Sequence, residues 1–159
     1  MTSPLRLVPA SDAHFAWMLG EIAAPRGLSL PPDGLDEEWV LLWLRGVLAT
    51  LDGRGSWLMV AGDEVVGLCS YKRPPDADGS VEIGYGVSPA RRRRGYATRA
   101  VATMLIEAAV DPRVRRLTAE TALTNLASQR VVEANGFAPI GRSMDADEGE
   151  VIVWARAVR

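Results

Sequence analysis

The chain has 159 residues, which is the size of one folded domain, and we expect a single domain over residues 1–159. Apolar residues make up 48% and charged residues 24%, so a wholly disordered chain is excluded. The lone cysteine, Cys69, and the lone histidine, His14, exclude an intrachain disulfide and a zinc site built from Cys and His, and we expect a protein without a metal.

The formal net charge of −2 is unevenly distributed along the chain. Residues 1–90 carry 6 basic and 12 acidic side chains, whereas residues 91–159 carry 12 and 8. The second half should therefore attract an anion and the first half a cation. No apolar run approaches the roughly 20 residues of a membrane span, and Met1–Ala10 lacks a signal-peptide core. These features predict a cytoplasmic protein that binds neither membrane nor nucleic acid.

The first half of the chain predicts a strand, two helices and three strands. In chain order they are a strand at Leu5–Val8, a helix over 12–23 capped by Ser11, a helix opening at Asp36, and strands at Trp57–Ala61, Val65–Lys72 and Ser80–Val87. The short turns between the last three strands favour antiparallel pairing.

The second half alternates helices and strands. Its predicted elements are a helix at Gly95–Val110, a strand at Val114–Thr121, a helix at Asn125–Asn135 ended by Gly136, and strands at Ala138–Arg142 and Glu150–Arg156. The β-α-β unit over 81–121 requires one parallel crossover. The fold class is therefore α/β (α+β), with a mixed, mostly antiparallel central sheet of about six or seven strands and about four flanking helices.

The stretch from Val81 to Ala100 has the strongest chemical pattern. In strand phase, Glu82, Gly84 and Gly86 share one face, so a carboxylate lies on a face with no other side chains. The two glycines favour close approach by a ligand and also a bulge, which would shift the phase after Gly84.

Four arginines, Arg91–Arg94, come directly before a helix that opens at Gly95. A helix N-terminus presents unpaired N–H groups and partial positive charge, and so it suits a pyrophosphate. The segment lacks the third glycine of a dinucleotide-binding fingerprint and the Lys-Ser/Thr of a Walker motif, which excludes both.

Two motifs resemble those of the GNAT N-acetyltransferase superfamily. The segment from Arg92 to Ala97 (RRRGYA) matches the acetyl-CoA loop pattern Arg/Gln-x-x-Gly-x-Gly/Ala. The segment from Asn125 to Phe137 resembles the second motif, and its Asn-x-x-Ser start and Gly-Phe end look most like the RimJ/RimL-like branch. The resemblance covers about residues 79–140 by motif and the whole chain by element order.

The resemblance implies a GNAT fold, acetyl-CoA as cosubstrate and a set of site residues. Glu82 would be the general base, acting on the attacking ammonium directly or through water, with a pKa raised by burial. The residues expected to bind the cosubstrate are Val87, Arg92, Arg93, Arg94, Gly95, Tyr96, Ala97, Thr98 and Asn125. Val87 would pair with the pantetheine arm through its backbone.

One position departs from the family pattern. Many relatives carry a general-acid Tyr where this chain has Val132, which cannot donate a proton. Ser128, one helical turn earlier, is the best substitute, although a thiolate also leaves well unaided.

Each assignment has a structural alternative. Glu82 is alternatively a strand carboxylate paired with an arginine, and Ser128 an N3 residue of a helix capped by Asn125. The arginine run is alternatively a solvated face. Packing is the predicted role of the bulky residues His14, Trp17, Trp39 and Trp43, and of Cys69 as a small buried residue.

The favoured function is acetyl-CoA-dependent transfer of an acetyl group to a primary amine, either a small molecule or a protein N-terminus. Acidic and aromatic residues near the first two helices suit a cationic acceptor. They are Glu21, Asp33, Asp36, Glu37, Glu38, Trp39 and Trp43. The main alternative is a non-catalytic acyl-CoA-binding sensor, and a nucleic-acid module is the weaker one. An exposed final strand would also permit a homodimer.

Overall fold

The computed structural model describes residues 4–159. Residues 1–3 of the predicted domain, which also belong to the segment in which no signal-peptide core was expected, lie outside the described residues. The strands are β1 (Leu5–Pro9), β2 (Ser56–Ala61), β3 (Glu64–Tyr71), β4 (Ser80–Val87), β5 (Arg116–Ala122), β6 (Ala138–Asp145) and β7 (Gly149–Ala157). The helices are α1 (Asp12–Met18), α2 (Glu38–Thr50), α3 (Tyr96–Ala109) and α4 (Leu126–Ala134), with a 3₁₀ turn at Pro89–Arg91.

The seven strands form one sheet in the order β1-β2-β3-β4-β5-β7-β6. The β4–β5 pair is parallel and every other pair is antiparallel. This confirms the predicted mixed, mostly antiparallel sheet of about six or seven strands with about four helices. The final strand is not exposed as expected, because β7 pairs with both β5 and β6 and leaves β6 at the edge. A homodimer stays a prediction.

Two apolar layers cover the two faces of the sheet. On one face, Phe15 of α1 and Leu41 of α2 pack with Leu58 of β2. On the other face, Met104 of α3 and Val132 of α4 are completely buried in the larger cluster. Burial of apolar area at about 25 cal/mol per Å² is the main force that holds these helices on the sheet.

Helix α1 is shorter than predicted, although its cap is correct. The Ser11 hydroxyl accepts from the His14 backbone N–H, and the Ser11 backbone N–H donates to His14 Nδ1. The helix ends at Met18 rather than near residue 23, because Gly20 adopts a left-handed φ of +79°. Gly20 and the following residue then donate back to the carbonyls of Trp17 and Ala16, which closes the helix.

The exposed face of α2 corrects two packing predictions. Trp39 and Trp43 are 61% and 46% exposed, whereas Trp17 is buried as predicted. The helix begins at Glu38 and buries Leu41, Val47 and Leu48 instead. Because α2 is apolar on several sides, hydrophobic spacing alone did not identify its buried face.

From residue 4 to the end of the chain, no helix has both the length and the apolar character needed to cross a membrane.

Candidate active site

Strands β4 and β5 pair with each other only near their N-terminal ends and then separate. Their parallel register runs only from Ser80–Arg116 to Glu82–Thr118. Beyond it, β4 continues against β3 as far as Val87, and β5 continues against β7 as far as Ala122. The edge of β4 from residue 83 onward therefore has no strand partner on the β5 side among the residues described, and an extended ligand can pair with it.

The glycine-bearing face of β4 keeps its phase along the whole strand. The β3–β4 register advances without a shift from Tyr71–Ile83 to Gly67–Val87, so the expected bulge in β4 is absent from this pair. Glu82, Gly84 and Gly86 therefore share one face, as predicted, and it is the face covered by α1 and α2. The only shift in β3 lies on its other side, between Met59 and Val60 of β2.

Glu82 lies at the point where the strands separate, and its carboxylate is held by two cations. Lys72 Nζ is 2.7 Å from Oε2, and Arg73 Nη2 is 3.2 Å from Oε1. The Glu82 side chain is 14% exposed. The Lys72 side chain also crosses Gly84, since a Cβ built there would be 3.1 Å from Lys72 Cε. The paired arrangement resembles the structural alternative, with a lysine as the nearer partner.

A second carboxylate, Glu120 of β5, was not identified from the sequence. Burial is the main cause that raises its pKa, and the negative charge of Glu82 raises it further, whereas Lys72 and Arg73 act in the opposite direction. Glu120 lies two residues beyond Thr118, the register partner of Glu82. The alternation of strand side chains was a usable signal, because it places Thr118 and Glu120 on one face.

The N-terminus of α3 has the backbone shape expected of an anion site. Gly95 has a φ of +77°, and a Cβ built on it would meet no atom within 4 Å. The first helical bond of α3 runs from the Arg99 N–H to the Gly95 carbonyl. The N–H groups of Tyr96, Ala97 and Thr98 thus precede the intrahelical bonds, as in helix N-termini that bind anions.

The arginines before this helix fall into two groups. Arg91 is bound to Glu64, with nitrogen–oxygen distances of 2.6 and 3.1 Å. Arg92, Arg93 and Arg94 are exposed, and Arg93 has a left-handed φ of +65°. Arg92 Nε donates to the Val87 carbonyl at 3.2 Å, which ties the loop to the end of β4. Of these arginines, Arg92 thus contacts Val87, while the Tyr96 side chain is buried in the core. The role of these residues in binding the cosubstrate stays a prediction.

Helix α4 approaches the gap from the other side. Asn125 Oδ1 accepts from the Ser128 N–H at 3.1 Å, so Asn125 caps the helix and Ser128 is its N3 residue. The Ser128 hydroxyl is nevertheless directed to β4, where it lies 2.8 Å from the Tyr85 hydroxyl. Tyr85 is the residue in this pair that the sequence did not identify.

A small cavity of about 150 Å³ lies between α2 and the β3–β4 pair. Gly84, Tyr85 and Gly86 form its floor, and Asp36 lies at its edge. The cavity is therefore lined by the same segment of β4 that lacks a β5 partner and borders the gap.

A strand pair that separates close to an exposed helix N-terminus fits an acyltransferase that uses an extended, phosphate-bearing donor. Residues 5–138 match the family described as the acetyltransferase (GNAT) domain. The chain therefore belongs to the GNAT family of acetyltransferases, in agreement with the resemblance seen in its motifs.

The chain is similar to the uncharacterized N-acetyltransferase YjdG of Bacillus subtilis (strain 168), with 36% identity over 87 residues. That match covers 54% of this chain and 52% of the relative, so it spans about half of the curated protein's length. Among solved structures, RimL, a ribosomal L7/L12 alpha-N-protein acetyltransferase in complex with coenzyme A, has a TM-score of 0.74 at 19% identity and covers 99% of this chain and 98% of that one. A Salmonella typhimurium acetyltransferase described as modifying the N-terminal serine of L7/L12 has a TM-score of 0.75 at 18% identity, with 100% and 97% covered. At these identities the two structures establish the shared fold.

Proposed function

We propose that this protein transfers an acetyl group from acetyl-CoA directly to a primary amine. The parting of β4 and β5 beside the Gly95 helix N-terminus is the observation that carries the proposal. It provides an unpaired backbone edge for an extended chain and, at one end of it, a set of N–H groups and arginines for phosphates.

The residues present fit coenzyme A. The N–H groups of Tyr96, Ala97 and Thr98, with Arg92–Arg94, would bind the pyrophosphate, and the open space at Gly95 allows its close approach. The backbone of Val87 and its neighbours on β4 would pair with the pantetheine arm. Asn125, which caps α4, would hydrogen-bond the pantetheine arm or a group next to it.

The transfer forms a bond between the amine nitrogen and the acetyl carbon and breaks the bond between that carbon and sulfur. The ammonium loses two protons, one to solvent through a base and one that ends on sulfur, so the products are an amide, the CoA thiol and one proton. N–H groups on the parted edge of β4 would stabilise the negative charge on the carbonyl oxygen. We propose Ser128 as the proton donor to sulfur, supported by its position at the gap and its contact with Tyr85.

Glu82 is the proposed base. Its position at the point where β4 and β5 separate supports this role, and its ion pairs with Lys72 and Arg73 favour a proton path through water over direct contact with the amine. Glu120, with its raised pKa, is the second carboxylate at this place and would accept a proton from the same water.

One observation favours the alternative of a non-catalytic acyl-CoA sensor. Val132 replaces the usual tyrosine and is completely buried, so that position of α4 provides no proton donor. Both functions predict binding of CoA, whereas thiol release in the presence of an amine is expected only of the enzyme.

Calorimetric titration with acetyl-CoA and with free CoA tests the cosubstrate site. The variant Arg92→Ala/Gly95→Glu places a carboxylate in the anion site and should weaken binding about tenfold or more. A matched control is Arg54→Ala/Gly53→Glu, because Gly53 has a nearly identical φ of +75°, also borders open space and lies in the turn after α2, where Arg54 interacts with Asp111 beyond the C-terminal end of α3. Undetectable binding to the unmodified protein, or equal losses in both variants, would contradict the proposed site. Thiol release with a panel of amines then separates the enzyme from the sensor.

A further inference from the structure

We infer that the cavity between α2 and the β3–β4 pair binds the acceptor as a single ammonium on an apolar body, and that the Asp36 carboxylate binds the ammonium. The inference rests on the proposed function and specifies the class of its acceptor. It follows from the lining of the cavity, from the direction of the Asp36 carboxylate and from the charges around it.

The cavity lining is mainly apolar, and Asp36 is the one charged residue in it. Val40, Trp43 and Leu44 of α2 and Leu68 of β3 supply apolar side chains. At about 150 Å³ it is smaller than the roughly 300–1,000 Å³ of sites that enclose a whole ligand. It therefore takes the amine end of an acceptor and its first carbon atoms, while the rest lies outside.

Asp36 directs one carboxylate oxygen at the floor of the cavity. Oδ2 lies 4.0 Å from the position that a Cβ on Gly86 would occupy. Oδ1 accepts from the Glu37 backbone N–H at 3.3 Å. The absence of a side chain at Gly86 thus leaves room for a ligand group between Oδ2 and β4.

The loop that carries Asp36 is fixed to the end of β4. The Ser88 side chain is completely buried, and its hydroxyl donates to the Gly34 carbonyl at 3.1 Å. The Ser88 backbone N–H donates to Val66 of β3 at 2.8 Å. These bonds hold the Asp36 segment beside the strand before an acceptor arrives, so less ordering is needed on binding.

The charges around Asp36 favour a cation. The residue stays accessible at the edge of the cavity, yet nearby protein atoms partly desolvate its carboxyl and raise its pKa. The neighbouring Glu37 charge raises this pKa further, whereas the Glu37 N–H and the Arg92 charge lower it. An ammonium would compensate for the lost solvation, and Trp43 in the lining adds attraction between a cation and an aromatic ring.

Glu82 and Asp36 differ in their partners. Glu82 is bound by Lys72 and Arg73, whereas the contact that the structure gives Asp36 is with a backbone N–H. An acidic residue before a helix also interacts favourably with the helix dipole, and this purely structural role predicts that its loss would reduce stability and leave acceptor affinity unchanged.

The test compares Asp36→Asn with Asp33→Asn, which makes the same change of charge at an exposed position of the same loop outside the cavity lining. The probes are 2-phenylethylamine, ethanolamine and spermidine, with thiol release followed at saturating acetyl-CoA. We expect the highest kcat/KM with 2-phenylethylamine. Asp36→Asn should raise its KM about tenfold or more, with a much smaller change in kcat and in the acetyl-CoA affinity. Asp33→Asn should leave the KM within about twofold of the original value.

Four outcomes would overturn the inference: an unchanged KM in Asp36→Asn, an equal increase in Asp33→Asn, a preference for spermidine or ethanolamine, or thiol release with other amines but none with 2-phenylethylamine. Each of these leaves acetyl transfer intact. Failure of the proposed function is recognised separately, by the absence of acetyl-CoA binding or by the absence of thiol release with every amine.

Discussion

The hydroxyl groups of Tyr85 and Ser128 lie 2.8 Å apart and join β4 to α4 across the gap in the sheet. Burial raises the pKa of Tyr85, and its hydrogen bond to Ser128 only partly offsets this effect. The phenol therefore keeps its proton across the neutral range, and its hydrogen bond holds the serine hydroxyl at the gap. This contact gives the proposed proton donor a fixed position that the sequence of α4 alone did not reveal.

Loss of the Ser128 hydroxyl should slow turnover without weakening the cosubstrate. Ser128→Ala is expected to lower kcat about 10²-fold, the lower end for general-acid catalysis, because a thiolate is already a good leaving group. Tyr85→Phe should have a smaller effect in the same direction, since it removes only the orienting contact. Steady-state kinetics with calorimetry of CoA binding measures both, and the control is Tyr71→Phe, at the C-terminal end of β3, where the ring packs against Trp57. An unchanged kcat in Ser128→Ala would mean that sulfur leaves without an acid.

Substitution of Glu82 separates catalysis from ion pairing. If Glu82 is the base, Glu82→Gln lowers kcat about 10²-fold or more, whereas Lys72→Met, which breaks the same ion pair, retains most of the activity. Both variants leave a partner of the pair uncompensated and should lower the melting temperature. Equal activities in the two variants, each with reduced stability, would assign Glu82 a structural role and leave Glu120 as the base.

Gly67 holds β3 and β4 at close distance next to the site. A Cβ at this position would overlap the Gly86 carbonyl oxygen and lie 2.9 Å from Met59 Sδ. Gly67→Ala should therefore reduce the free energy of unfolding by about 1–3 kcal/mol and weaken CoA binding, because β4 must move. Denaturant unfolding and calorimetry provide the measurements. Gly141→Ala in β6, where a Cβ meets no neighbour, should lose far less stability.

Asp36→Asn should lower activity without a loss of stability near pH 7. Because desolvation raises the Asp36 pKa above its ordinary value of 3.8, the folded protein binds this proton more readily than the unfolded chain does. The contribution of Asp36 to stability is therefore full below pH 3.8 and declines as the pH rises through its raised pKa. The variant should be as stable as the original protein, or more stable, at pH 7. Melting curves should show this difference disappearing in acid, and a variant that is clearly less stable at pH 7 would contradict the expectation.

Capping residues and glycines in the sequence correctly predicted where several helices begin and end. Ser11 caps α1, and Gly136 takes a left-handed φ of +78° after α4, as the sequence predicted. The end of α1 at Gly20 used the same signal, which was present in the sequence but was outweighed by the apolar residues that follow. Motif spacing likewise placed Gly95 at the N-terminus of α3.

Long-range pairing was not accessible from the sequence. The partners of Glu82 depend on the β3–β4 register across an eight-residue connection, which no local pattern specifies. The exposed positions of Trp39 and Trp43 depend on how α2 rotates against the sheet, and its nearly continuous apolar sequence does not determine this. The contact of Tyr85 with Ser128 joins residues 43 positions apart.

The short register between β4 and β5 has a mechanical consequence. Only three residue pairs join the half-sheet β1–β4 to the half-sheet β5–β7 through strand hydrogen bonds. A pantetheine arm bound along β4 would add hydrogen bonds between the two half-sheets. Binding of the cosubstrate would therefore make the junction of β4 and β5 more rigid. At a ligand concentration of 100 Kd, linkage adds about 2.7 kcal/mol to the free energy of unfolding. At low acyl-donor concentration the junction of β4 and β5 would open more readily, so the rate of proteolysis should fall as the acyl-donor concentration rises.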